Sequence, residues 1–332
     1  MILDQILGRG KARAKAPSNS IAAGLTDVGC ERDKNEDRFA VVESTCGTGF
    51  FVFDGMGGEA GGEAAAQLSV DAIRAVFAQH DTADGRQLLR SAIERAHQVI
   101  SLRRQNQVFA AMGTTVVAAM ISGPEITIAS VGDSRAYLIH DGAIQQLTSD
   151  HTYVQELVDQ GHIQPQDALV HPQAHILTRC VGATVGFQID SKTLWIWPSN
   201  PADSSSKDVL LLCSDGLYSL ISESEIADIA TTHSSQDACE HLVRLARERG
   251  GFDNITALII PIDGVVKTEA PEGAHVVKRP QKKRKQKRET HSSQAASKHR
   301  SWGFHAVMVS FLCVAASLTT AVGFVFVQLM GE

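Results

Sequence analysis

Short apolar runs alternate along the chain with longer stretches whose apolar residues return every third or fourth position. FAVVES (39–44) and GFFVFD (49–54) predict two strands joined by a turn at Cys46-Gly47-Thr48. Residues 62–80 predict a helix, with Ala64, Leu68, Ala72 and Phe77 on or near one face, and a second helix fits residues 86–104. TTVVAAMI (114–121), ITIASV (126–131) and RAYLIH (135–140) predict short strands separated by Gly-Pro and Gly-Asp breaks. Asp141-Gly142 predicts a hairpin turn into AIQQL. VLLLCS (209–214) and NITALII (254–260) read as buried strands, with helices at about 223–231 and 235–249 between them. Strands, then helices, then strands again predict a layered α+β domain rather than a doubly wound parallel sheet. No internal repeat is visible.

The pattern changes near the C-terminal end. From Ser301 to Gly331 there is no Asp, Glu, Lys or Arg, and AVMVSFLCVAASLTTAVGFVFVQLM is apolar on every face. A bilayer core needs about 20 such residues in a helix. Ahead of it, eight of the eleven residues from Lys278 to Arg288 are Lys or Arg, a run that cannot bury itself. Basic residues beside a spanning helix stay on the cytoplasmic side. The expected organisation is a mobile basic arm (1–20), a globular domain (21–263), a disordered basic linker (264–303) and a transmembrane helix (304–330). The chain is expected to be single-pass and tail-anchored, with its domain in the cytoplasm. The linker would reach about 35 Å and attract anionic lipid by about 1 kcal/mol per basic residue. The adjoining apolar segment argues against reading the basic run as a nucleic-acid site.

Composition sharpens this division. The net charge of −6 conceals a domain, residues 21–263, that holds 32 of the 37 acidic side chains but only 16 of the 31 basic ones. Hydrophobic residues make up 43%, enough for a sizeable core. The six cysteines (30, 46, 180, 213, 239 and 313) form no CxxC pair and read as free thiols in a reducing compartment. Cys180, Cys213 and Cys239 each lack an Arg six residues on, which argues against cysteine-dependent phosphoester chemistry.

The acidic residues are concentrated at strand ends beside glycine. Asp54 closes FVFDGMGG, Asp215 closes LLLCSDGL, and Asp133 lies in ASVGDSRAY. Asp253 directly precedes NITALII, and Glu36 and Asp37 directly precede RFAVVES. Strand ends present side chains at a common sheet edge, where gathered carboxylates repel one another unless protonated or paired with cations. Hard oxygen donors of this kind suit Mg²⁺ or Mn²⁺. A glycine after the aspartate lets backbone approach closely, so that a carbonyl joins the donors.

Taken in order, these residues carry a resemblance. The series runs Asp27-Val28-Gly29, Arg32, Asn35-Glu36-Asp37, Asp54-Gly55-Met56-Gly57-Gly58, Gly62-Glu63 and Met112-Gly113-Thr114-Thr115. It continues with Val131-Gly132-Asp133-Ser134-Arg135, Leu147-Thr148, Asp150-His151 and Leu177-Thr178-Arg179. Ser214-Asp215-Gly216-Leu217 and Asp253-Asn254-Ile255-Thr256 close it. Over about residues 21–262 the chain resembles the metal-dependent protein phosphatases, the PPM or type 2C serine/threonine class, and its bacterial branch most of all.

The resemblance implies a four-layer αββα sandwich of two central antiparallel sheets flanked by helices. It implies two Mn²⁺ or Mg²⁺ ions, with Asp54 bridging both, the Gly55 carbonyl on one, and Asp215 and Asp253 on the other. Glu36 and Asp37 would bind or orient the ions, and Asp133, with Asp215, would hold a third, looser ion. Arg32 would clamp phosphate, because a guanidinium matches phosphate oxygens bidentately. Arg32, Asp54 and Asp215 are thus the expected catalytic residues. Two divalent ions about 3.5–4 Å apart acidify a bridging water, giving a hydroxide that attacks phosphorus in line. One departure stands out: Met56 occupies a position where many eukaryotic relatives carry a His proposed as general acid. His151, His171 and His175 are candidate substitutes, although a structural or surface role fits each better. Residues 149–190 resemble the family's irregular flap beside the active site.

The expected activity is hydrolysis of phosphoserine and phosphothreonine in proteins at the cytoplasmic face of a membrane. Its partners would be phosphoproteins, a cognate serine/threonine kinase and membrane lipid, with no nucleic acid. The alternatives are a pseudo-phosphatase that binds phosphoproteins without turnover, and a phosphoesterase acting on small molecules.

Overall fold

The computed structural model describes residues 22–270 apart from 59–60, 80–83, 169 and 199–207, together with the two-residue strand at 14–15. The strands are β1 (Ala14–Lys15), β2 (Ala23–Asp27), β3 (Arg38–Ser44), β4 (Gly47–Phe53), β5 (Gly55–Met56), β6 (Gly113–Thr114) and β7 (Val116–Ser122). They continue as β8 (Glu125–Val131), β9 (Arg135–His140), β10 (Ala143–Gln146), β11 (Asp190–Trp197), β12 (Asp208–Cys213), β13 (Ile255–Ile262) and β14 (Val265–Lys267). The helices are α1 (Gly61–Gln79), α2 (Gly85–Arg103), α3 (Tyr153–Asp159), α4 (Asp215–Tyr218), α5 (Glu223–Thr232) and α6 (Ser235–Glu248).

Two six-stranded sheets result, in the orders β1-β2-β13-β12-β9-β10 and β14-β11-β8-β7-β4-β3, with every pairing antiparallel. Strand periodicity explains the layering. In β4, Phe50 and Val52 point between the sheets, where they meet Val117, Ile128, Leu210 and Leu258. Phe51 and Phe53 point the other way, into a core shared with Ile73 of α1 and Leu88 and Ile93 of α2. On the far side, Leu211 of β12 and Ile259 of β13 pack with Ile226 of α5 and Leu242 of α6. Central strands buried on both faces read as continuous apolar runs, which is why β4, β12 and β13 were visible in the sequence. The αββα sandwich is as expected.

Helix starts follow capping chemistry. Asp84 accepts from the N–H groups of Arg86 and Gln87, Ser222 and Glu225 form a reciprocal capping box, and Ser234 caps α6.

Four differences from the expected pattern have physical causes. The β3–β4 turn falls at residues 45–46, because Ser44 pairs with Gly47. Strand β2 was missed because Gly24 weakens its signal; a Cβ there would lie 2.6 Å from the Phe39 ring, so close packing requires glycine. Strand β11 was hidden by the exposed polar start of DSKTLWIW. Helix α3 lies inside the segment read as an irregular flap, where the Thr152 hydroxyl caps the Gln155 N–H.

The domain also extends past the expected boundary at 263. Residues 265–267, assigned to the linker, form β14 against β11. The fully buried Asp208 carboxylate anchors this strand, accepting from the Val266 N–H at 2.6 Å and pairing with His140 Nδ1 at 2.6 Å. Within the expected basic arm, residues 14–15 pair with β2. The rest of that arm, the linker beyond 270 and the transmembrane helix at 304–330 lie outside the described residues. Among the described residues no helix is long and apolar enough to cross a membrane. The five described cysteines are all free thiols.

Replacing Asp208 with Ala should strand the buried Val266 N–H and lower stability by about 2 kcal/mol, read as a lower urea midpoint at constant m. The hydrogen bond to Asp208 raises the His140 pKa. That contribution is therefore complete below the unfolded His value of about 6.5 and fades as pH rises through the higher folded value. A His140→Gln chain should lack this fade.

Candidate metal centre

Strand ends from both sheets converge on one cleft. Asp54 follows β4 and is fixed through its backbone: its N–H donates to Thr115 Oγ1 at 3.0 Å, and its carbonyl accepts from the Thr115 N–H at 2.9 Å and Thr114 Oγ1 at 2.8 Å. Gly55 is sterically required, since a Cβ would lie 2.2 Å from the Gly62 carbonyl oxygen and 2.7 Å from that of Glu36. Asp215 opens α4 directly beyond β12, and the next residue, Gly216, would place a Cβ 2.1 Å from the Asn254 carbonyl oxygen. Backbone thus packs against backbone on both sides of the site.

Asn254 organises the loop that carries Arg32 and Glu36. Its amide donates to the carbonyls of Val28 and Lys34, both at 2.9 Å, and its Oδ1 accepts from the Glu36 N–H at 2.7 Å. The sequence showed Asn254 only as a neighbour of Asp253, with nothing to reveal this role. Ser214 and Thr256 are similar: both hydroxyls donate to Asp37 Oδ2 at 2.7 Å.

Arg32, Glu36, Asp54, Gly55, Asp133, His175, Asp215 and Asp253 line a cleft of about 770 Å³. Asp37 is set behind that wall, fully buried rather than lining it. Burial and the charges of Asp215 and Asp253 push its carboxyl up to about 7, against the two hydroxyl donors. Asp54 lies well above the usual carboxylate range, through burial first and then the charges of Asp37, Asp215, Asp133 and Asp253. Asp133 is raised in the same way, by burial and then by Asp215. Asp253 is raised by burial and Asp215 despite Arg32, whose Nη2 lies 2.8 Å from its Oδ2. Burial also raises Glu36.

Among the described residues, the carboxylate oxygens Asp37 Oδ1 and Asp215 Oδ1 are buried without a hydrogen-bond partner. Such atoms are costly unless a cation or proton satisfies them. Among the described residues, no three carboxylate, imidazole or thiol side chains converge as a ready-made ion cage. Two of the carboxylates have basic neighbours: Asp253 Oδ2 accepts from Arg32 Nη2 at 2.8 Å, and Asp215 Oδ2 lies 3.7 Å from His175 Nδ1. An all-oxygen, acidic donor set with two orphaned atoms fits hard divalent cations better than any other ligand class.

The three candidate histidines separate. His175 lines the cleft. His151 is only 5% exposed and is built into the fold. His171 does not line the cleft; its Nδ1 accepts from the Gln173 N–H. Met56 does line the cleft, and its thioether has no proton to give.

Beside Asp133 lies a buried cation network. Arg135 Nε and Nη2 reach Asp150 at 3.0 and 2.6 Å, and the guanidinium sits 3.7 Å over the Tyr218 ring. The Tyr218 hydroxyl donates to the Asp133 carbonyl at 3.0 Å, so this network holds the turn that presents Asp133.

Comparison with known proteins agrees with this architecture. A family model described as Protein phosphatase 2C matches residues 31–250. Protein phosphatase PhpP of Streptococcus pneumoniae is 36% identical over 244 residues, which is 72% of this chain and 96% of that protein. The serine/threonine phosphatase of S. agalactiae superposes with a TM-score of 0.67 at 32% identity, covering 73% of this chain and 98% of that one. The catalytic domain of the phosphatase PstP, solved in complex with two manganese ions, superposes with a TM-score of 0.62 at 29% identity, covering 73% of this chain and 98% of its own. By the family model and by relatives that match over nearly their whole length, the chain belongs to the protein phosphatase 2C family and is a protein serine/threonine phosphatase.

Proposed function

We propose that the cleft hydrolyses phosphoserine and phosphothreonine in proteins with the help of divalent cations, Mn²⁺ or Mg²⁺. The observation that carries this reading is the gathering of Asp54, Asp133, Asp215 and Asp253 around one cleft, with an unpartnered buried oxygen on Asp215 and another on Asp37 behind it. Asp54, the Gly55 carbonyl, Asp215 and Asp253 would hold two ions; Glu36 and Asp37 would bind or orient them, and Asp133 would hold a looser third with Asp215. When bound, the cations supply charge neutralisation for the phosphate dianion and an acidified water near neutral pH.

The protein's own groups position the substrate. Arg32 is half-exposed at the cleft mouth, and its Nη2 donates to Asp253 Oδ2 at 2.8 Å; a guanidinium carries five N–H donors, enough to hold Asp253 and two phosphate oxygens together. Asn254 holds the loop beneath it, so the clamp is set before substrate arrives. Turnover of a phosphothreonine peptide by the full chain with Mn²⁺, abolished by a chelator, is the expected result. An intact peptide would mean a binding module, and faster turnover of nucleotides than of peptides would mean a small-molecule phosphoesterase.

The proposed setting is the cytoplasmic face of a membrane, with the apolar segment 304–330 as anchor and the basic residues before it as linker. The substrates there would be phosphoproteins, opposed by a cognate serine/threonine kinase, with membrane lipid as a further contact. The charge-free stretch from Ser301 to Gly331 and the basic run before it support this reading. Ending the chain after residue 300 should move the protein from the membrane pellet to the supernatant. Retention in the pellet would shift the anchor to the basic run or the N-terminal arm.

A further inference from the structure

The buried His151 and the partly exposed Arg179 and Asp190 form a junction that the chemistry of the cleft does not use. His151 meets the Gly132 backbone twice: its N–H donates to the Gly132 carbonyl at 3.0 Å, and its Nδ1 accepts from the Gly132 N–H at 3.0 Å. That acceptor role places the ring proton on Nε2, which donates to Asp190 Oδ2 at 3.1 Å and lies 3.3 Å from Arg179 Nη1. The carbonyl of His151 accepts from the Thr178 N–H at 2.8 Å. Arg179, one residue on, donates to Asp190 Oδ1 at 3.2 Å.

The two ends of this junction lead to different parts of the cleft. Gly132 precedes Asp133, and its backbone (φ +106°) packs so tightly on Thr115 that a Cβ would lie 2.6 Å from Thr115 Cγ2. Thr115 in turn bonds Ser134 at 2.7 Å and the Asp54 N–H at 3.0 Å. The turn bearing Asp133 is therefore wedged between Thr115, which also fixes Asp54, and His151. At the other end, Thr178 follows Leu177 and His175, both of which line the cleft from the flap segment. The start of the flap segment and its cleft-facing part are joined to each other here by the Thr152–Leu177 bridge and the Tyr153 N–H to Ile176 carbonyl bond at 2.8 Å.

We propose that His151 is a positioning residue that fixes the cleft-facing flap segment and the Asp133 turn relative to one another, its backbone and ring contacts together setting the substrate-facing wall against the cation-facing wall of the cleft. This rests on the reading of the cleft as the catalytic site. His151 touches neither substrate nor reacting atoms. Its two ring nitrogens have separate duties, Nδ1 toward Gly132 and Nε2 toward Asp190, and the duties are separable by substitution.

The test uses the full-length chain. His151→Asn keeps an acceptor oxygen where Nδ1 stands and forfeits the reach to Asp190. His151→Gln reaches Asp190 and forfeits the acceptor for Gly132. In metal-free protein, hydrogen exchange at Thr178 should quicken about tenfold in the Asn variant, and exchange at Gly132 about tenfold in the Gln variant. With Mn²⁺, the Asn variant should weigh on KM for a phosphothreonine peptide, and the Gln variant on kcat and Mn²⁺ affinity, each by about tenfold. Asp190→Ala, at a half-exposed position, should reproduce the Asn pattern, and unchanged exchange in α6 reports an intact fold. The proposal is overturned if both His151 variants loosen both segments alike, or if neither segment changes. If the wild-type chain leaves the peptide intact, the catalytic reading fails, and the exchange measurements still decide the role of His151.

Discussion

An Asp215→Asn chain should lose about two to three orders of magnitude in turnover of a phosphothreonine peptide while keeping its fold. Removing a carboxylate from a divalent-ion site forfeits several kcal/mol of transition-state charge stabilisation, and each 1.36 kcal/mol is tenfold in rate. The fold should survive because Asp215 stands among Asp37, Asp54, Asp133 and Asp253 with one buried oxygen unpartnered. Taking one negative charge out of that group relieves repulsion, so the metal-free variant should melt no lower than the wild type. A second readout separates ion binding from catalysis. Saturating Mn²⁺ should raise the wild-type Tm by mass action, and that rise should shrink in the variant. Wild-type activity in the variant, or an undiminished Mn²⁺-dependent rise, would remove Asp215 from the proposed ion site.

An Arg135→Met chain should lose about 3–5 kcal/mol of stability, because the Asp150 carboxylate is then left buried without its cation. Asp150 is 10% exposed, and among the described residues its remaining side-chain donor is Gln146 Nε2 at 3.0 Å. Adding Asp150→Leu should recover most of the loss, since replacing both partners of a buried pair removes the uncompensated charge. The double variant should still be impaired in activity. Arg135 stacks on Tyr218, whose hydroxyl holds the Asp133 carbonyl, so the turn loses support even when the charge is balanced. Urea midpoints and peptide turnover measured on both variants test these two parts separately.

Much of the site was legible because it sits where strands end. Asp54, Asp215 and Asp253 adjoin the apolar runs of β4, β12 and β13, and such runs are unambiguous when a strand is buried on both faces. Their convergence was foreshadowed by composition, since most of the acidic side chains fall in one region. What stayed hidden depends on three-dimensional partners. Asp37 has the same carboxylate as its neighbours, but only the folded structure shows it behind the cleft wall, bonded to Ser214 and Thr256 from distant strands. His151 was one of three equivalent candidates until its burial and its ring contacts to Gly132, Asp190 and Arg179 set it apart. Strands β2 and β11 escaped because a glycine and a polar start weaken the periodic signal. The domain boundary was set too early because Val265 and Val266 are too short a run to read as a strand without the partner that β11 supplies.

Gly55 and Gly216 answer to sterics, whereas the carboxylates beside them answer to charge. A descendant of this chain that abandoned hydrolysis would be released from the second demand but not from the first. Its aspartates would drift toward neutral residues, with a gain in folding free energy, while the glycines stayed in place. The lasting imprint of the lost reaction would then be a pair of side-chain-free positions at the ends of β4 and β12, a skeleton that outlives its chemistry.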